Sequence, residues 1–268
     1  MSSTGAGYDY APTIYSPDGR IFQIEYAQKA IEAGGTSIGV KCKDGVVLAN
    51  EKLLYSKMLV ESSNRAHFPI DLNAGMVTSG YLPDGRQLAL RARSVAKQFR
   101  EAYAIPVIPE QLADQMAQFI HAYTCYYQFR PFGASFMLAA YDENKKEAEL
   151  YGVDAAGVPM RYFGHASGKG ARSAKTEIER MKFSEKTCKE ALKDLAKIMS
   201  LIHDDVKDKP YMLEMSWICE ESGWKFQMIA PEVAKASREA AEKEIEEEDE
   251  EDDSDSEDDD DDDDEDED

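Results

Sequence analysis

Apolar side chains recur at helical spacing over residues 21–33, where Ile21, Ile24, Ala27, Gln28 and Ile31 share one side of a 3.6-residue repeat behind the turn-forming Ser16-Pro17-Asp18-Gly19. Gly34-Gly35 ends that helix, and from Thr36 the period shortens to two. Ile38 and Val40 alternate with small or polar residues, and Lys43-Asp44-Gly45 leads into Val46-Val47-Leu48-Ala49. An Asp-Gly between two such runs predicts a hairpin whose turn needs positive φ. A further β segment spans about residues 74–80. Asp84 then stands where it would cap a helix running to Tyr103 with the stripe Leu88, Ala92, Val95, Phe99 and Tyr103. Pro106 and Pro109 interrupt the chain, after which Leu112, Met116, Phe119, Ile120, Tyr123 and Tyr127 mark a second long helix, an antiparallel neighbour of the first.

Strand patterns return from Phe132 to Phe163, with turns at Asp142-Glu143-Asn144 and Ala155-Ala156-Gly157. Helices follow over 170–181 and 184–204, the second carrying Cys188, Leu192, Leu195, Met199 and Ile202 on one face. Strands near 211–219 and 224–229 precede a last helix that starts at Pro231 and dissolves near Glu246. Strands, two helices, strands, two helices and a final hairpin do not alternate as βαβ units do. The order predicts an α+β layered body of mainly antiparallel sheets covered by helix pairs.

Charge divides the chain. Its formal net charge is −22 over 268 residues, yet residues 244–268 hold 22 Asp and Glu with no Lys or Arg, which leaves 31 acidic against 31 basic groups in the rest. The body is a neutral globular domain, and the tail, too poor in apolar groups to offset its ordering entropy, is predicted to be a disordered polyanion. The resulting organisation is a leader at 1–20, a body at 21–243 and an acidic tail at 244–268. No apolar run approaches the roughly 18 residues of a membrane span, and residues 1–5 lack a basic and apolar signal pattern, so no membrane association is predicted.

Candidate chemistry is sparse. Cys42, Cys125, Cys188 and Cys219 form no C-x-x-C, and His67, His121, His165 and His203 lie at least 38 residues apart, so neither a metal site nor a cofactor is predicted. The stretch from Gly164 to Gly170 is one residue short of a phosphate loop and has Gly170 where a hydroxyl is needed, which favours a strand-to-helix turn. Arg86, Arg91, Arg93, Lys97 and Arg100 scatter around their helix, and the tail repels phosphates, so no nucleic-acid partner is predicted.

One set of segments is more specific. Tyr8-Asp9, Ser16-Pro17-Asp18-Gly19-Arg20, Gln23, Glu25-Tyr26-Ala27 and Ala30 resemble the N-terminal signature of proteasome alpha subunits. The resemblance continues through Lys43–Leu48, Ser79–Arg86, Arg130-Pro131-Phe132-Gly133, Lys175–Glu179 and His203–Lys209. It implies a four-layer alpha-beta-beta-alpha sandwich of two antiparallel sheets, shared with N-terminal nucleophile hydrolases. It also implies a subunit of the 20S core in a seven-membered alpha ring, resting on beta-ring subunits and meeting regulatory-particle ATPases and other activators, in the cytoplasm and nucleus. The same resemblance assigns Tyr8, Asp9, Pro17 and Tyr26 to the cluster that positions the leaders at the entrance to the proteolytic chamber. Hydrogen-bonding Tyr and Asp, a turn-fixing Pro and small leader residues suit that task.

Catalytic beta subunits use an N-terminal threonine activated by its own amine and by Asp and Lys. Thr36 sits where that nucleophile falls, but Lys52 stands at the aspartate position, Phe68 at the lysine position, and the amine is locked in a peptide bond. No catalytic role is predicted. Two departures bear on the family's other sites: Tyr10 replaces the Arg that often follows Tyr-Asp, and Ala66 stands where the family places the lysine that receives activator carboxylates, with Arg65 beside it as a substitute guanidinium. In the tail, Ser254 and Ser256 precede Glu257 and Asp259 by three residues, a casein-kinase-II-like phosphorylation pattern. The rival readings are an autonomous N-terminal threonine hydrolase and an acidic-tailed binder of basic proteins.

Overall fold

A computed structural model describes residues 7–60, 63–204 and 209–257, with side chains as far as residue 247. Helix α1 (Phe22–Glu32) leads into the hairpin β1 (Ser37–Cys42) and β2 (Gly45–Leu53). Strands β3 (His67–Asp71) and β4 (Ala74–Gly80) precede helices α2 (Leu82–Tyr103) and α3 (Pro109–Thr124). Then come β5 (Ala134–Asp142), β6 (Glu147–Val153), β7 (Pro159–Tyr162) and β8 (Gly164–Ser167), helices α4 (Ala171–Arg180) and α5 (Cys188–Ile202), β9 (Tyr211–Cys219), β10 (Gln227–Met228) and α6 (Pro231–Glu257).

The strands form two five-stranded sheets, in the orders β10-β9-β2-β1-β8 and β3-β4-β5-β6-β7, with antiparallel pairing throughout. Both faces of each sheet are covered, which is why Val46-Val47-Leu48-Ala49 is continuously apolar. Val47 and Ala49 point to the layer of α4, α5 and α6, whereas Val46 and Leu48 point between the sheets to Met137 and Leu150. On β5 the same alternation sends Phe136, Leu138 and Ala140 toward α2 and α3. Helices, sheet, sheet, helices: the four-layer sandwich is present.

Several local expectations are corrected. The β1–β2 turn consists of Lys43 and Asp44, because Cys42 pairs with Gly45, and neither turn residue has positive φ. Gly45 is needed for another reason: a Cβ there would lie 2.3 Å from the Ile218 carbonyl oxygen and 2.7 Å from the Cys219 Cα on β9. Asp84 caps nothing. Helix α2 starts behind Tyr81 without a side-chain cap, and buried Asp84 instead receives Arg130 and the Gly133 N–H. Pro109, read as an interruption, occupies the first turn of α3, where its missing N–H costs nothing. Strand β3 escaped the pattern because Pro69 lies in it, tolerated at a sheet edge beside a bulge. The helix of 184–204 is a 3-10 turn at Phe183–Glu185 followed by α5. Helix α6 stays helical past Glu246 to Glu257, in a run rich in helix-forming Glu and free of Gly and Pro. The remaining tail, 258–268, lies outside the described residues.

Candidate functional site

Helix α1 buries Phe22, Ala27 and Ile31 against the ends of β4 and β5, with Ile21 and Ile24 half-buried and Gln28 turned to solvent. Its C-terminal end approaches the sheet closely: a Cβ on Gly34 would lie 2.6 Å from the Gly80 nitrogen. The opposite side of α1 receives the leader. Gln23 Nε2 donates to the Asp9 carbonyl, and the Tyr26 hydroxyl donates to Asp9 Oδ2 at 3.4 Å. Loss of hydration, followed by the Asp9 charge and this bond, raises the Tyr26 phenol above its ordinary range, so it remains a donor. Pro17 occupies a turn in which the Gly19 N–H donates to the Ser16 carbonyl at 2.9 Å, and Gly19 at φ +75° supplies the left-handed step. Arg20 then forms two bonds to Glu25, Nε to Oε1 at 2.6 Å, locking the turn to α1. Of the four gating candidates, Asp9 and Tyr26 are in contact, Pro17 shapes the approach, and the exposed Tyr8 hydroxyl has no partner among the described residues.

Thr36 lies one residue before β1, not within it, and is almost wholly buried. Its backbone N–H donates to Glu51 Oε2 at 2.9 Å, and its Oγ1 accepts from the Gly170 N–H at 3.0 Å. The other oxygen of Glu51 meets His203 Nδ1 at 2.7 Å. Lys52 Nζ is engaged with Glu214 Oε1 at 3.2 Å and with the Ser63 carbonyl, and Phe68 packs toward α2 and α3. The Thr36 nitrogen is thus an amide donor with no proton-accepting capacity, and a cation stands at the aspartate position. The aspartate and the lysine that the hydrolase reading requires are replaced at their positions by Lys52 and Phe68. Gln23 and His203 were named from sequence without these partners, and Glu51 was not named, because the partners of Glu51, His203 and Gln23 lie 15, 152 and 14 residues away and share no spacing rule with them.

Arg65 and Ala66 part company. Arg65 is exposed at the rim of a cavity of about 530 Å³ lined by Met212, Met215, Met228, Ile229 and Pro231. The Ala66 side chain is buried, and its N–H points at Glu214 Oε2, 3.4 Å away. The side chains of Ser254 and Ser256 lie outside the described residues. Two histidines are pushed down by burial, His67 to about 3 and His165 to about 4. His67 Nδ1 lies 2.8 Å from Ser216 Oγ inside the sandwich. Among the described residues no three His, Cys, Asp or Glu side chains gather as metal ligands, and no helix is long and apolar enough to cross a membrane.

Comparison with known proteins agrees in both segments. A family model described as proteasome subunit matches residues 31–218, and one described as the N-terminal signature of the proteasome A-type subunits matches residues 8–30. The chain is 46% identical over 246 residues to proteasome subunit alpha type-3 of Spinacia oleracea, covering 92% of this chain and 98% of that one. The Oryza sativa subsp. japonica protein of the same name is 44% identical with the same coverage. Probable proteasome subunit alpha type-7 of Saccharomyces cerevisiae is 41% identical, covering 91% and 86% of the two chains.

Proposed function

Because this chain belongs to the proteasome family as one of its alpha-type, non-catalytic ring members of the 20S core, we propose that its leader helps to gate the particle's entrance through the clasp between Asp9 and α1. Catalysis resides in the beta subunits. The observation that supports a gating role is the double hold on Asp9, its carbonyl by Gln23 and its carboxylate by Tyr26. The Tyr26 bond to the carboxylate is long and lies on an exposed surface, so it contributes little energy, which suits a segment that has to change position. In particles carrying Asp9→Ala, the leader loses its carboxylate anchor, and basal hydrolysis of a small fluorogenic peptide rises several-fold with particle assembly intact. Unchanged hydrolysis would remove the clasp from the gate.

The finer partners follow from the same reading. Seven alpha subunits close the ring, beta subunits lie beneath it, and ATPase activators approach from outside, in the cytoplasm and the nucleus. Arg65 offers a guanidinium for an activator's terminal carboxylate beside an apolar, methionine-rich cavity. Arg65→Glu is expected to weaken ATPase-stimulated hydrolysis while leaving basal hydrolysis unchanged. Phosphorylation of Ser254 and Ser256 would act on partner binding, and mass spectrometry of the chain from cells tests it.

A further inference from the structure

Cys42 is the last residue of β1 and Cys188 the first of α5, and both are buried between the first sheet and its helices. Two hydrogen bonds that involve neither thiol bring these ends together. The Lys43 N–H donates to the Lys186 carbonyl at 3.1 Å, and the Cys188 N–H donates to Asp44 Oδ1 at 2.8 Å. The Cys188 side chain meets that of Cys42 in a contact of thiol with thiol, and it reaches the Asp44 carboxylate as well. A third buried thiol marks the limit of the cluster. Cys42 pairs with Gly45 on β2, and Gly45 pairs with Cys219 on β9, so two strand spacings separate Cys42 from Cys219. That is roughly 9.5 Å between Cα atoms, beyond the roughly 7 Å that a disulfide spans. The register therefore leaves Cys188, and not Cys219, as the partner of Cys42.

We propose that Cys42 and Cys188 are a site of reversible intrachain disulfide formation, with hydrogen peroxide as the oxidant. Contact with Cys42, burial and the Asp44 charge raise the Cys188 thiol above its ordinary range, so the reduced pair is the resting form and reacts slowly. Burial closes both thiols to bulky oxidants, whereas peroxide is little larger than water. The Cys188 proton passes to the Asp44 carboxylate, and the Cys188 sulfur attacks one peroxide oxygen as the bond between the oxygens breaks. The departing hydroxide takes the proton from Asp44 and leaves as water. The Cys42 sulfur then attacks the sulfur of the sulfenic acid so formed. The bond between the sulfurs forms, the sulfur–oxygen bond breaks, and the hydroxyl leaves with the Cys42 proton as a second water. Two thiols are oxidised and one peroxide is reduced to two waters. The new bond ties the start of α5 to the end of β1 and closes a loop that contains the whole second sheet, which restricts the unfolded chain.

The test is exposure of the full-length chain, within the assembled particle, to hydrogen peroxide in excess over its thiols. Free thiols are then capped under denaturing conditions, and the peptides are mapped without reductant. The expected result is a pair of peptides joined through Cys42 and Cys188, lighter by two hydrogens than the reduced pair and separated by dithiothreitol. Cys219→Ala is expected to leave that product unchanged, and Cys188→Ala to abolish it. The cross-link is read directly in the unmodified protein, so the result stands even if a variant fails to assemble. Recovery of both Cys42 and Cys188 as capped thiols, of either as a sulfinic or sulfonic acid in place of the cross-link, or of either joined to Cys125 or Cys219, would overturn the proposal.

Discussion

Asp84 holds three donors at once: both terminal nitrogens of Arg130, at 2.6 and 2.8 Å, and the Gly133 N–H at 2.9 Å. Arg130 is largely exposed and can return to water, but the Gly133 N–H is enclosed. Asp84→Ala is therefore expected to cost about 2 kcal/mol, mostly for that orphaned donor, and urea unfolding measures it. Nothing local announced this role. A carboxylate early in a helix reads as a cap, and its true partner lies 46 residues on. Two histidines, His67 buried and His165 half-buried, make a second prediction. His67 and His165 are neutral in the folded protein down to about 3 and 4 but protonate in the unfolded chain near their ordinary value. Their folded pKa values are depressed, so their contribution is complete above about pH 6.5. It falls as the pH drops below that value, by up to about 1.4 kcal/mol per pH unit for each ring. Urea midpoints at about pH 7 and pH 5.5 are expected to differ accordingly, and His165→Gln is expected to flatten the slope.

Thr187 shows how an element is held at its start. Its side chain accepts from the Glu190 N–H while the Glu190 carboxylate accepts from the Thr187 N–H at 2.7 Å, a complete capping box at the N-terminus of α5. Thr187→Ala is expected to cost about 1 kcal/mol, visible as a lower denaturation midpoint. Gly45→Ala should cost more, because its Cβ meets main-chain atoms of β9, which cannot rotate away. Most elements could be read from periodicity alone. α1, α2, α3 and α5 have one apolar stripe facing a sheet, and β2, β5 and β9 have nearly continuous apolar runs facing two layers. What escaped was governed by something other than period. β3 carries a proline that only its edge position permits, and the β1–β2 turn revealed its conformation only when Cys42 was seen opposite Gly45.

At the scale of the whole molecule, the neutral body and the acidic tail are separable. α6 packs Ala234 and Ala241 into the core and sends Arg238 to the Tyr211 carbonyl at 2.8 Å, all before residue 244. Removing residues 244–268 is expected to leave the thermal midpoint and ring assembly unchanged, whereas removal from Pro231 onward lowers both; thermal scans and native mass spectrometry distinguish the two. The layered antiparallel architecture followed from the succession of elements, whereas the four-layer sandwich and the proposed gating residues were reached only through resemblance, since Asp9 and Tyr26 meet across 17 residues without a shared pattern. The surroundings of Thr36 were legible only in part: the missing aspartate and lysine could be counted, but not the bonds that replaced them. Those bonds have an evolutionary consequence. Cleaving before Thr36 would strip away α1 and expose the surface that Ile31 covers, Lys52→Asp would set a carboxylate against Glu214, and Phe68→Lys would set an ammonium against packed apolar surface. Each step toward a protease is harmful alone and useless without the others, so no single substitution leads this chain toward catalysis.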